Sequence, residues 1–189
     1  MDNPNTSVLD AINDLAGKSS FLDSLGKFAA QDLVYVIIAL GAVLLVWLLV
    51  QRIRFAFEVA IILVIAVGLS LVIGRGIQHL WFEARPWVDH PDTVKLISHS
   101  ADASFPSDHC LVAGAIAAVV LLASRVAGII AIVLAVLIAW GRVFVGVHYP
   151  GDVLAGLAIG AACGVVTWFV VRGVLRRVSP TGGLGLIGP

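Results

Sequence analysis

The chain has 189 residues, enough for one domain, with 12 basic and 12 acidic side chains and a net charge of zero. Hydrophobic residues make up 60% and charged residues only 13%, against roughly 45–50% apolar and about 25% charged in soluble domains. This balance excludes a soluble globular domain in favour of an integral membrane protein, and the absence of net positive charge argues against nucleic acid as a partner. The two cysteines, Cys110 and Cys163, fall in apolar stretches and read as small packing residues rather than a disulfide or a metal-binding pair.

Residues 1–31 are amphipathic and too polar to span a membrane. Ser7-x-x-Asp10 and Ser20-x-x-Asp23 resemble capping boxes and predict two short helices. Val8, Ile12 and Leu15 share one face of the first, Phe21, Leu25 and Phe28 one face of the second, and Gly17 suits the end of the first. Both helices are expected to lie at the membrane surface. This N-terminus has neither the basic start nor the compact apolar core of a cleaved signal.

Five spanning helices are predicted near 32–50, 55–80, 109–124, 126–147 and 151–172, each near the roughly 20 residues that a bilayer requires, with the third the shortest. Residues 1–177 then form a single membrane-embedded domain, and the Pro- and Gly-rich tail 178–189 is expected to be disordered. Arg52 and Arg54 follow the first span, Arg125 lies between the third and fourth, and Arg172, Arg176 and Arg177 end the fifth. Alternating spans put all of these on one face, cytoplasmic by the positive-inside rule together with the C-terminus. The connection 81–108, long enough to be functional, falls on the opposite face. In it, Trp81, Phe82 and Trp87 suit an interfacial aromatic belt.

Three clusters meet on that extracytoplasmic face: Glu83-Ala84-Arg85-Pro86, Ser104-Phe105-Pro106-Ser107-Asp108-His109, and Gly141-Arg142 through His148 to Asp152. Ionisable groups this close to hydrocarbon suggest function. Arg85 and Arg142 present planar, permanently charged forks that match phosphate oxygens. Ser107 reads as the N-cap of the third span, whose free N–H groups form an anion site, and His109 in its first turn can donate a proton to a leaving oxygen. His148 and Asp152 are four residues apart, so a helix that began near His148 would place them on one face. The carboxylate would then fix the imidazole tautomer and leave the other ring nitrogen free to attack phosphorus.

Gly156, Gly160 and Gly164 continue that spacing and read as a device for holding this helix against its neighbours, although the row drifts around the helix. His79, His90 and His99, with Asp89, Asp92 and Asp102, lack tight metal-ligand spacing and read as solvated loop residues, so neither metal nor cofactor is expected. Glu58 reads as a favourable charge near the start of the second span.

Arg85-Pro86, Pro106-Ser107-x-His109 and Arg142-x5-His148-x3-Asp152, in that order, resemble the type 2 phosphatidic acid phosphatase superfamily, which also contains vanadium haloperoxidases. That pattern begins with a Lys where this chain has Gln78, has Gly at Asp108 and Ser at Gly141. The stretches 81–87 and 101–109, and Phe21-Leu22-Asp23-Ser24, are similar to the bacitracin-resistance type of bacterial undecaprenyl-diphosphatase.

The resemblance implies an all-helical bundle of about five spans in the bacterial cytoplasmic membrane. It implies phosphate binding by Arg85, Ser107 and Arg142, a His148 nucleophile oriented by Asp152, and His109 as acid and then base. Arg75 or Lys95 could supply the cation missing at Gln78, while Asp108 adds a negative charge with no evident role. The implied reaction turns undecaprenyl diphosphate into undecaprenyl phosphate, recycling the carrier for cell-wall synthesis. Other lipid phosphates, such as phosphatidate and phosphatidylglycerol phosphate, and a non-catalytic lipid-binding or lipid-moving role remain open on sequence grounds.

Overall fold

The computed structural model describes residues 4–178, so the tail expected to be disordered lies, from 179 on, outside the described residues. Those residues form α1 (Pro4–Asn13), α2 (Ser20–Gln31), α3 (Leu33–Gln51), α4 (Ile53–Leu80), α5 (Pro86–Asp89), α6 (Asp108–Ala123), α7 (Arg125–Phe144) and α8 (Pro150–Val178), with no strand among them. Four helices, α3, α4, α7 and α8, are long and apolar enough to cross a membrane, with mean hydropathy of 3.0, 2.8, 2.4 and 2.1. Large apolar side chains on their outer faces, among them Val43, Val64, Val126 and Phe169, stay exposed, as hydrocarbon solvent allows.

The third predicted span is α6, which has 16 residues and is about 24 Å long at 1.5 Å per residue. It is the axis of the bundle, packed by α3, α4, α7 and α8. Cys110, Leu111, Ala113, Ala115, Val119 and Val120 have no exposed surface. The sheath of neighbours explains how a short helix can serve here, because the chain at its ends meets protein rather than lipid.

Gly156, Gly160 and Gly164 all face α6, so the drift expected along α8 does not take them off the contact. A Cβ at Gly156 would stand 2.8 Å from the Ser107 carbonyl oxygen, one at Gly164 2.9 Å from that of Ala115, and one at Gly160 would strike that of Leu111. Gly160→Val is therefore expected to push α8 off α6, at the roughly 1–3 kcal/mol typical of overpacking. A lower melting midpoint in detergent, with activity falling alongside, would register this. Gly173→Val, which meets nothing within 4 Å, should melt as the parent does.

Three boundaries depart from expectation. α1 already runs from Pro4, a residue suited to a first helical turn because it lacks an N–H, so Ser7 lies inside the helix rather than capping it. The N-cap of α2 is Ser19, in extended backbone, and Asp23 instead accepts the Gly17 N–H at 2.9 Å; Gly17 itself, at φ +76°, turns the chain between α1 and α2. The fourth span ends at Phe144 rather than 147, since Gly146 takes φ +78°. Residues 145–149 look like continued span because they are apolar. They are in fact a turn buried in protein, with Val145 and Val147 at 0% exposure.

The two N-terminal helices cover this turn. Gly26, Ala29 and Ala30 of α2 are buried against Phe144 and Gly141 of α7, while Phe21, Leu25 and Phe28 stay exposed, as a helix lying on a membrane surface requires. The buried Asn13 side chain donates to the carbonyls of Phe144 (2.8 Å) and Val94 (2.9 Å) and accepts the Val94 N–H (2.8 Å). Asn5 accepts the Gly151 N–H at 2.8 Å. At the other end of the bundle Arg172 lies 3.8 Å from Glu58 and over the rings of Trp168 and Phe55. Glu58 therefore pairs across helices, rather than serving only the N-terminus of its own.

Candidate active site

The connection after α4 is built around Arg85, the residue before α5. Its guanidinium is buried and ringed by acceptors. Nε and Nη2 hold Asp102 Oδ1 at 2.8 and 2.7 Å. Nη2 also reaches the Ala103 carbonyl at 3.3 Å, and Nη1 donates to the Val147 carbonyl at 2.8 Å. The fifth contact joins Nη1 to His148 Nε2 at 3.2 Å. Hydrogen bonds from Arg85 and Ser100 bring the Asp102 carboxyl below its usual range despite the opposing effect of burial.

The wall behind this cluster is Trp87. Lys95 Nζ sits 3.9 Å from its ring centroid and donates to the His99 carbonyl at 2.9 Å, so Lys95 is engaged away from phosphate. The His99 ring packs on Trp87 and, at a centroid distance of 6.4 Å, against His148. Burial, then the charge of Arg85, lowers its pKa. Both residues correct the sequence reading: Trp87 is part of the site rather than the aromatic belt, and His99 is no solvated loop histidine. Trp81, Phe82, His79 and His90 are exposed as expected.

His148 is in the turn before α8 rather than on it, and is 2% exposed. Its Nδ1 lies 3.3 Å from Asp152 Oδ2, which also accepts the Tyr149 N–H at 2.9 Å. Asp152 therefore caps α8 and faces the imidazole at once. A guanidinium can only donate, so the Arg85 contact makes Nε2 the acceptor and Nδ1 the protonated nitrogen. Burial holds the His148 pKa well below the ordinary imidazole value, reinforced by the charges of Arg142, Arg85, His99 and His109. A neutral imidazole held in this way presents its Nε2 lone pair to Arg85.

One residue of this centre escaped sequence reading. Ser104, with no exposed surface, donates to Asp152 Oδ2 and lies 3.4 Å from His148 Nδ1. Its N–H is tied to the Glu83 carbonyl at 2.8 Å. Serine is common in loops, and only its place three residues before Ser107 could have drawn attention to it.

Ser107 is the N-cap of α6, as expected, but its hydroxyl makes no capping bond. Its N–H instead donates to the Asp152 carbonyl at 3.2 Å, which joins the start of α6 to the start of α8. His109 follows in the first turn. Arg142, 2% exposed, donates through Nη1 to the Ala30 carbonyl at 3.2 Å. That contact accounts for Gly141, since a Cβ there would stand 2.7 Å from the Ala30 nitrogen.

Gln78, Asp108 and Arg75 form a separate network at the rim. Gln78 Nε2 donates to Asp108 Oδ1 at 2.9 Å and to the Pro106 carbonyl at 3.1 Å. Arg75 donates to Gln78 Oε1 at 3.1 Å and lies 3.5 Å from Asp108 Oδ2. The charge of Asp108 is thus countered across α4 and α6.

Among the described residues, the buried polar side-chain atoms without a partner are Ser107 Oγ, Arg142 Nε and Asp152 Oδ1. All three belong to the residues around His148. Buried polar atoms are normally paired, and two of these can donate. A phosphoryl oxygen is the acceptor that a serine hydroxyl, a guanidinium N–H and the N–H groups opening α6 would share.

The chain is similar to known proteins along most of its length. YbjG of Escherichia coli strain K12 is 37% identical over 161 residues, covering 85% of this chain and 79% of that protein. Undecaprenyl-diphosphatase BcrC of Bacillus subtilis strain 168 is 36% identical over 166 residues, covering 85% and 80%. The crystal structure of Aquifex aeolicus LpxE superposes with a TM-score of 0.69 at 25% identity, covering 88% of this chain and 95% of that one. The pattern of the PAP2 superfamily matches residues 59–176, from the second span to the end of α8. Chain-long kinship to these membrane proteins, with a catalytic-type His–Asp pair held among arginines, makes this protein a member of the PAP2 superfamily.

Proposed function

We propose that the protein hydrolyses undecaprenyl diphosphate to undecaprenyl phosphate and inorganic phosphate, through a phosphohistidine, at the extracytoplasmic face of the cytoplasmic membrane. The observation that carries this reading is the neutral, buried His148, with Nδ1 at Asp152 and Nε2 at Arg85. The substrate comes from the relatives: BcrC bears the name undecaprenyl-diphosphatase, as does a Sulfolobus acidocaldarius protein 33% identical over 150 residues. The orientation rests on the basic residues at the far end of the bundle, which the positive-inside rule places in the cytoplasm with the C-terminus. Residues up to 177 act as one domain.

In the first step the His148 Nε2 lone pair attacks the terminal phosphorus in line. The phosphoanhydride bond breaks, and His109, kept protonated by charge pairing with the bound diphosphate, passes its proton to the departing lipid phosphate. Arg142, Ser107 and the N–H groups opening α6 hold the equatorial oxygens, joined by the Arg85 Nη1 N–H that His148 Nε2 gives up as its lone pair attacks, and such electrostatic positioning is the main source of catalysis in phosphoryl transfer. Asp152 stabilises the positive imidazole of phospho-His148. In the second step water gives a proton to His109 and attacks phosphorus, the N–P bond breaks, and phosphate leaves. No step calls on a metal. Arg75 offsets Asp108 through Gln78, keeping the start of α6 favourable to an anion.

Phosphate release by the purified protein from undecaprenyl diphosphate, phosphatidate and phosphatidylglycerol phosphate tests this directly. The diphosphate is expected to turn over at least tenfold faster than either of the others, EDTA to have no effect, and vanadate to inhibit as a phosphate mimic. Faster turnover of phosphatidate would assign the site to another lipid. Lipid transfer with no phosphate release would make the protein a carrier.

A further inference from the structure

We infer that Ser104 is a positioning residue for the nucleophile, so that the orienting unit is Ser104–Asp152–His148 rather than the His–Asp pair alone. This rests on the proposed role of His148. The His148 Nδ1–Asp152 Oδ2 separation, 3.3 Å, is longer than a strong N–H···O bond to a carboxylate, which lies near 2.7–2.9 Å. A lone contact of that length would leave the imidazole loosely held. Ser104 Oγ stands beside the same nitrogen at 3.4 Å and donates its hydroxyl hydrogen to Asp152 Oδ2.

A hydroxyl carries one hydrogen and two lone pairs. With its hydrogen on the carboxylate, Ser104 can only accept from His148, so the imidazole must present Nδ1–H to it. A carboxylate oxygen alone requires the same tautomer. The two acceptors therefore share one N–H, which sits between them, and both reject the tautomer protonated on Nε2. That tautomer has no lone pair on the attacking nitrogen. Ser104 also fixes the carboxylate, because Oδ2 is held from one side by the Tyr149 N–H and from the other by this hydroxyl.

Ser104 is well suited to the task. Its N–H is fixed to the Glu83 carbonyl, two residues before Arg85. Asp102, two residues before it on the other side, grips the Arg85 guanidinium. One short segment thus sets both sides of the imidazole, with Ser104 on Nδ1 and Arg85 on Nε2.

The test compares Ser104→Ala and Ser104→Cys with the parent in detergent. Cysteine keeps the size of the side chain but is a weak donor. For phosphate release from undecaprenyl diphosphate, both variants are expected to lose about 10–100-fold in kcat with KM within twofold. In the Ser104→Ala background, Asp152→Asn should cost more than it does alone, because only the Tyr149 N–H would then hold the amide oxygen toward His148. Independently of any substrate, 15N spectra of labelled histidine should show His148 as one Nδ1–H tautomer in the parent, and the same tautomer with a displaced Nδ1–H resonance in Ser104→Ala, where one of its two acceptors is gone. Full activity in the cysteine variant would assign Ser104 to packing and overturn the inference, as would an unchanged Nδ1–H resonance in Ser104→Ala. If the parent releases phosphate from no lipid but that resonance still moves in Ser104→Ala, the proposed reaction fails while the positioning role stands.

Discussion

His148→Ala is expected to abolish phosphate release from undecaprenyl diphosphate, by about 10⁴-fold or more, the scale of loss when a covalent nucleophile is removed. The fold should survive. His148 lies in a turn whose backbone is held by other residues: Val147 N–H donates to the Arg142 carbonyl, Gly146 N–H to that of Val143, and Asn13 takes the Phe144 carbonyl. The variant should elute as the parent does in detergent while giving no acid-labile phosphoprotein after a rapid quench. Arg85 and Arg142 are untouched by this change, so a non-hydrolysable diphosphate should still bind. Retained turnover in the purified variant would remove His148 from the role of nucleophile.

Asp152 should separate orientation from charge. In Asp152→Asn, the Tyr149 N–H and the Ser104 hydroxyl both donate to the Oδ2 position and would keep the amide oxygen there. His148 then keeps its tautomer and loses only the negative charge that stabilises a phosphorylated, positive imidazole. A charge pair about 4 Å apart at an effective dielectric near 20 is worth about 4 kcal/mol, so the rate should fall on the order of a thousandfold. Asp152→Ala removes the acceptor as well, leaving Ser104 and the Tyr149 N–H without a partner, and should lose more activity and also stability. Equal losses in the two variants would mean that charge, not orientation, dominates. Unchanged kinetics in Asp152→Asn would reduce Asp152 to a helix cap.

Much of this architecture is legible in the chain itself. Five apolar runs gave α3, α4, α6, α7 and α8, four of them long and apolar enough to cross a membrane, because lipid demands long apolar helices. The ends blurred where protein replaces water: residues 145–147 are as apolar as a span because the turn they form is buried. Arg85, Ser107, Arg142, His148 and Asp152 could be picked out because ionisable groups at the edge of hydrocarbon are costly to place there without a reason. Ser104, His99 and Trp87 could not. A serine, a histidine and a tryptophan in an interfacial loop are unremarkable one by one, and only the folding of that loop back onto the α7–α8 turn brings them to His148. Gly141 shows the same limit, since its reason is a neighbour, α2, more than a hundred positions earlier in the chain.

The buried Asn13 side chain also bears on when the protein becomes active. It grips the Phe144 carbonyl across a sequence separation of 131 residues, and Asn5 reaches the Gly151 N–H across 146. During synthesis the first two helices exist long before the turn they fasten. The grip cannot close until α7 has left the ribosome, and Asp152 arrives only with α8. Catalytic competence is thus a property of the finished chain, and an arrested or truncated product lacking α8 would sit in the membrane without attacking its lipids.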